Sequence, residues 1–151
     1  IEDKFSDILL DTYDLKGDSR IREVKTRVNQ NVFRQIVLAN YESRCAVSGI
    51  DIPELLVASH IVPWSKSEND RLNPENGICL SSLYDKAFDK GLIAINNELK
   101  IILSSDLKKK SNQNYYVTFF SGIEGAKIQL PMKYLPNKEF LEFHCDMIFK
   151  G

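Results

Sequence analysis

The chain has 151 residues, 43% hydrophobic and 27% charged, a balance that suits one soluble domain with a single core. No apolar run approaches the roughly 18 to 20 residues of a membrane helix and no charged-then-apolar leader opens the sequence, so no membrane partner is expected. Cys45, Cys79 and Cys145 are odd in number and irregularly spaced, against the disulfide framework of a small secreted protein; they are read as buried thiols, with a cytoplasmic setting as the default. The formal net charge of −1 is unevenly spread. Residues 1 to 14 carry Glu2, Asp3, Asp7, Asp11 and Asp14 against Lys4 alone. The stretch from Lys16 through Arg20, Arg22, Lys25, Arg27 and Arg34 to Arg44 is locally basic, although a merely solvated charged face accounts for these residues equally well.

In chain order, Phe5, Ile8, Leu9 and Tyr13 recur at helical spacing and suggest a short entry helix or linker, interrupted at Gly17 and Asp18. Val32, Phe33, Ile36, Val37 and Tyr41 form one stripe, which predicts an amphipathic helix over 31–42 capped by Asn29 or Asn31. The segment from Cys45 to Pro53 reads as a hairpin or turn broken by Gly49, and Leu55 to Val62 as a strand ended by Pro63. A polar loop over 65–75 leads to a returning strand from Gly77 to Leu80. Ser81 or Ser82 then caps a short helix with Leu83, Ala87 and Phe88 on one side, closed by Gly91. LIAI and LKIIL flank Asn96, Asn97 and Glu98 as a β-hairpin. Lys108 to Lys110 are expected in a loop, YYVTFF from Tyr115 as a strand and Lys127 to Leu130 as another. Pro136 and Asn137 introduce a terminal helix with Phe140, Leu141, Phe143, His144 and Met147.

Two histidines limit any mechanism that needs imidazole at neutral pH. His60 ends an apolar strand that can hold its ring rigidly, whereas His144 sits in an amphipathic helix where a structural or surface role is favoured. Asp85 and Asp89 are four residues apart on the predicted short helix and project from the same side, so together they can hold one divalent ion. By spacing alone, two solvated carboxylates beside Lys86 and Lys90 are the plainer reading. Asn76 stands between the two strands, nine residues before Asp85.

The order SHIVPW, loop, NPENG, DKAFDKG is the informative feature. RVNQNVFRQIVLANYESRCAVSGIDIPELLVASHIVPWS and NPENGICLSSLYDKAFDKGLIAI, together residues 27 to 95, resemble the HNH (ββα-metal) endonucleases, in particular their restriction endonuclease branch, with weaker likeness through LPNKEFLEFH. The resemblance implies an α+β fold with an HNH ββα-metal core over 55–91, flanking helices and additional β-hairpin and strands, the domain occupying 27–151 behind an N-terminal helix or linker over 1–26. It implies His60 as the general base that activates water and Asn76 as the residue that stabilises the loop and orients that base. It puts the metal ligands at Asp85 and Asp89. Ser59 departs from the family, standing where other branches carry an Asp or His ligand, and Tyr84 stands where many members carry His. Other members hold zinc with two Cys-x-x-Cys pairs; here Cys45, Ser48, Ser81 and Tyr84 occupy those positions and no structural zinc is expected.

The implied activity is metal-dependent hydrolysis of DNA, double-stranded in the first instance, leaving 5′-phosphate and 3′-hydroxyl ends. One Mg²⁺ or Mn²⁺ suits two carboxylates. Arg71, Lys86 and Lys90 are weaker candidates for backbone phosphate contacts. Because the chain opens on Ile1, a preceding specificity portion, or a homodimer, is expected to choose the target in a restriction or phage-defence system. Two rivals stand beside this reading: a non-catalytic nucleic-acid-binding domain that retains the HNH shape, and an interaction module pairing through a strand at Tyr115 to Phe120.

Overall fold

The structure is a computed structural model and describes residues 18–63 and 71–151. The entry segment expected over 1–15 and most of the loop expected over 65–75 lie outside the described residues. The architecture is α+β. Two small antiparallel hairpins are surrounded by helices, and among the described residues no helix is long and apolar enough to cross a membrane.

Helix α1 spans Asp18–Asn40, much longer than the 31–42 expected. Arg20, Arg22, Glu23, Lys25 and Gln30 are good helix formers, so the packed second half propagates backward through a first half with few apolar residues. Val24 in this first half is also buried, on a different side of the helix from Phe33. Asn29 and Asn31 are therefore interior to the helix, not caps. The helix ends where Glu42 and Ser43 take positive φ of 55° and 53°, and the Ser43 amide turns back to the Leu38 carbonyl at 2.8 Å. Buried Asn40 then fastens a distant segment. Its Oδ1 accepts from the amides of Lys133 and Tyr134 at 3.1 and 3.0 Å, and its Nδ2 donates to the Tyr134 carbonyl at 2.9 Å.

Strands β1 (Leu56–His60) and β2 (Gly77–Ser81) pair with Leu56 opposite Ser81 and His60 opposite Gly77. Side chains on a strand alternate between faces. One face of this hairpin packs on α1 and the other on α2 (Ser82–Asp89), so β2 is buried along its whole length. Gly77 makes the first contact possible: a Cβ there would overlap Val37 Cγ2 and lie 2.8 Å from Phe33 Cζ. Gly91 closes α2 at φ +73°, as its place in the sequence suggested, and a side chain there would strike the Ile148 carbonyl.

The second hairpin, β3 (Ile93–Ile95) with β4 (Ile101–Leu103), matches the expected one, and Lys127 adds a single bridge to Lys100 where a further strand was anticipated. Two expectations fail beyond it. The loop expected at Lys108 to Lys110 begins inside a short helix, α3 (Ser105–Lys108), whose Ser104 cap accepts from the Leu107 amide at 3.2 Å. The aromatic run is not a strand; it forms α4 (Asn114–Tyr116) and a π-helical turn (Val117–Ser121). Tyr116 and Phe120, four apart, are buried while Tyr115, Val117 and Phe119 are exposed, a pattern that suits helical and not two-residue periodicity. The partner-pairing strand envisaged there is thus absent.

Helix α5 (Lys138–Met147) starts at Asn137, whose side chain accepts from the Glu139 amide at 2.9 Å. It presents His144 to the core. The imidazole is 1% exposed, lies over Phe88 with centroids 3.7 Å apart, and donates from Nε2 to the Phe88 carbonyl at 2.8 Å. This pins α5 to the end of α2, in the structural role favoured for it.

Gly91→Ala tests the tight junction between α2 and the C-terminal segment. A left-handed φ costs an L-residue roughly 1–2 kcal/mol, before the clash with Ile148 is added. The variant is expected to melt at least about 3 °C lower by circular dichroism; an unchanged melting temperature would show that the junction is not tight.

Candidate active site

His60 is the last residue of β1, on the face of the hairpin toward α1. Its ring stacks on Phe33, centroids 3.8 Å apart and planes inclined by 7°. Its Nε2 lies 3.1 Å from the Arg71 carbonyl oxygen. A carbonyl only accepts, so in the neutral ring Nε2 carries the proton and the lone pair is on Nδ1. Burial holds the His60 pKa below the ordinary value of 6.5, against the raising effect of the Arg71 carbonyl. The ring therefore rests neutral at pH 7 with a basic nitrogen. A cleft of about 290 Å³, lined by Gln30, Phe33, Arg34, Val57 and Ala58, opens beside it.

Asn76 fixes the chain that leaves His60. Fully buried, it accepts from the Val62 amide through Oδ1 at 2.8 Å and donates from Nδ2 to the Val62 carbonyl at 3.2 Å, while its own carbonyl receives the Ile61 amide at 3.0 Å. Three hydrogen bonds from one residue hold the turn after the strand. Asn73 supports Asn76 in turn, capping the 3-10 turn Pro74–Asn76 by accepting from the Glu75 amide.

Asp85 stands on the other face of the hairpin, half-buried on α2 and hydrogen-bonded by the Ser59 hydroxyl. Burial raises its pKa; the Ser59 bond opposes that, nearby Asp89 adds to it, and Lys86 opposes it. Asp89 is exposed, as are Lys86 and Lys90. Among the described residues no three His, Cys, Asp or Glu side chains converge on a metal position. The donor set nevertheless fits a hard cation: a half-buried carboxylate with a second one beside it is relieved of both desolvation and repulsion by a divalent ion. The structure thus brings Asp85 and Asp89 together, and brings His60 and Asn76 together. The two pairs lie on opposite faces, joined through the adjacent residues Ser59 and His60.

Three participants were not evident in the sequence. Phe33 read as one member of a core stripe, Ser59 as a departure from the family pattern, and Arg71 as a phosphate contact, whereas it is the Arg71 main-chain carbonyl that meets His60. The zinc-knuckle positions are engaged in other ways. Cys45 Sγ accepts from the Ser48 amide at 3.3 Å, and the Tyr84 hydroxyl donates to the Phe119 carbonyl at 2.7 Å, away from Asp85 and toward the π-helical turn.

Residues 45–96 match the family model for HNH endonucleases. No curated protein matches the chain. The fold is similar to that of a solved modification-dependent TagI restriction endonuclease, with a TM-score of 0.52 and 16% identity, over 74% of this chain and 35% of that one. This chain thus spans little more than a third of the length of that enzyme. The matched residues 45–96 supply both strands of the first hairpin, helix α2 and the side chains of His60, Asn76 and Asp85.

Proposed function

We propose that this chain is the cutting part of a restriction or phage-defence nuclease that hydrolyses DNA phosphodiester bonds with His60 as general base and Asp85 and Asp89 as the protein ligands of one Mg²⁺ or Mn²⁺. The observation that carries the reading is the state of His60: neutral, its Nε2 proton committed to the Arg71 carbonyl, its lone pair on Nδ1. A base at neutral pH needs that tautomer held in place.

Nδ1 of His60 takes a proton from water, and the resulting hydroxide attacks phosphorus in line with the 3′ oxygen, which leaves and is protonated from solvent. Asn76 keeps the imidazole in register by fixing the main chain at Val62. Ser59 aims the Asp85 carboxylate. A divalent ion, when bound, shields the scissile phosphate and stabilises charge on the leaving oxygen. Adjacent residues, Ser59 toward α2 and His60 toward α1, let a phosphate at the loop end of the hairpin meet base and ligands at once. Exposed Lys86 and Lys90 on α2, and Arg71, supply cations for flanking phosphates of duplex DNA.

Such contacts give affinity without choice of sequence. Target selection is accordingly assigned to a portion outside residues 1–151 or to a second subunit, a division supported by the greater length of the restriction endonuclease that shares the fold. One observation favours a second reading, a DNA-binding domain without catalysis: among the described residues two carboxylates stand at the ion position, with Ser59 in place of a third ligand.

His60→Ala is expected to slow cleavage of duplex DNA on the order of 10²- to 10⁴-fold with DNA affinity retained. The neutral ring is the active form and its pKa is depressed by burial, so the wild-type rate is full at pH 7 and falls only below the ordinary histidine value of 6.5. His60→Ala should lack that acid limb, and full activity in the variant would remove the base assignment.

Calorimetric titration with Mn²⁺ separates the two readings. Asp85→Asn is expected to weaken binding at least about tenfold, and Asp89→Asn less, because Asp85 is the more buried. Wild-type protein that takes up no Mn²⁺ in the presence of DNA would favour the non-catalytic reading.

A further inference from the structure

The imidazole of His60 needs two constraints to be fixed, one within its plane and one on the plane itself. The bond to the Arg71 carbonyl sets the first. Phe33 constrains the second, because a near-parallel ring 3.8 Å away limits how far the histidine can swing about its side-chain torsions. Phe33 reaches this position only because of the residue opposite His60 in the hairpin. That residue is Gly77, and a Cβ there would lie 2.8 Å from Phe33 Cζ. Three elements thus meet under one ring: α1 gives Phe33, β2 gives the empty space, and β1 gives His60.

We propose that Phe33 is a positioning residue for the general base, its ring seated in the space left by Gly77 and fixing the plane of the His60 imidazole so that Nδ1 meets the attacking water. The proposal rests on the reading of His60 as base. It makes α1, which lies outside the matched segment 45–96, part of the catalytic apparatus as well as of the core. The orientation it supplies acts on turnover and not on substrate binding, since a ring 2% exposed offers DNA almost no surface.

The stack has a spectroscopic signature. The ring protons of His60 in the wild-type protein, assigned by their loss in His60→Ala, should resonate upfield of ordinary histidine positions because they lie over the face of Phe33. Phe33→Leu removes the flat ring, and Phe33→Met fills its volume without one. In either variant, at temperatures where it is folded, the His60 resonances should return toward ordinary positions. The cleavage rate at saturating duplex DNA should fall roughly 10- to 100-fold, with the half-saturating DNA concentration unchanged within about twofold. Unshifted His60 resonances in the wild type would overturn the proposal, and so would wild-type turnover in a folded Phe33 variant. Should both variants fail to fold, the wild-type resonances still decide. The outcomes also separate the proposal from the reading beneath it. A fully active His60→Ala removes the base itself, whereas an inactive His60→Ala beside a fully active Phe33→Leu removes only the role of Phe33.

Discussion

The close approach of α1 to the first hairpin at Gly77 is the constraint on which the rest of the structure depends. A helix and a sheet pack at a distance set by their side chains, and here the strand offers none at the point of contact. Val37 and Phe33 therefore settle directly on the backbone of β2, burying one face of that strand, while α2 buries the other. With both faces covered, every residue of β2 is buried, whereas Val57, Ala58 and His60 of β1 keep partial exposure. A larger residue at 77 would lift the helix, open the core and tilt the platform beneath His60 in a single step.

Neutral hydrogen bonds and ring packing hold the site together. The Asn76 amide satisfies both main-chain groups of Val62, and its carbonyl takes the Ile61 amide, so hydrogen bonds fix the turn that follows the strand. Burial lowers the His60 pKa and favours the neutral ring. On the other face the half-buried carboxylate of Asp85 has the exposed carboxylate of Asp89 beside it, and the two repel one another. In the proposed mechanism one side of the hairpin takes a proton and the other attracts a cation, on opposite faces of the same strand.

Much of this was legible in the sequence. Both hairpins, α2 and α5 follow from apolar periodicity bounded by Gly, Pro, Ser and Asn, and those boundaries are where the local backbone leaves little choice. His60 and Asn76 stood out because strand ends and polar residues between strands are few. What could not be read depends on contacts between distant segments. The helicity of Asp18 to Gln30 rests on packing of the half that follows, and the aromatic run at Tyr115 to Phe120 has strong strand propensity that burial of Tyr116 and Phe120 beside Tyr84 overrides. Phe33 under His60 is of the same kind. In the sequence it is one apolar position on a helical stripe, and nothing local distinguishes a core phenylalanine from one that carries an imidazole.

The central claim is that the end of the first hairpin brings a neutral base and a carboxylate pair to one phosphate. A crystal structure with Mn²⁺ and a duplex whose phosphodiester linkage resists hydrolysis tests it most directly, through the anomalous signal of the metal. The account expects one manganese peak beside Asp85 and Asp89, and a backbone phosphate between that peak and Nδ1 of His60. A peak remote from both carboxylates, or a phosphate beyond reach of the imidazole, would contradict it.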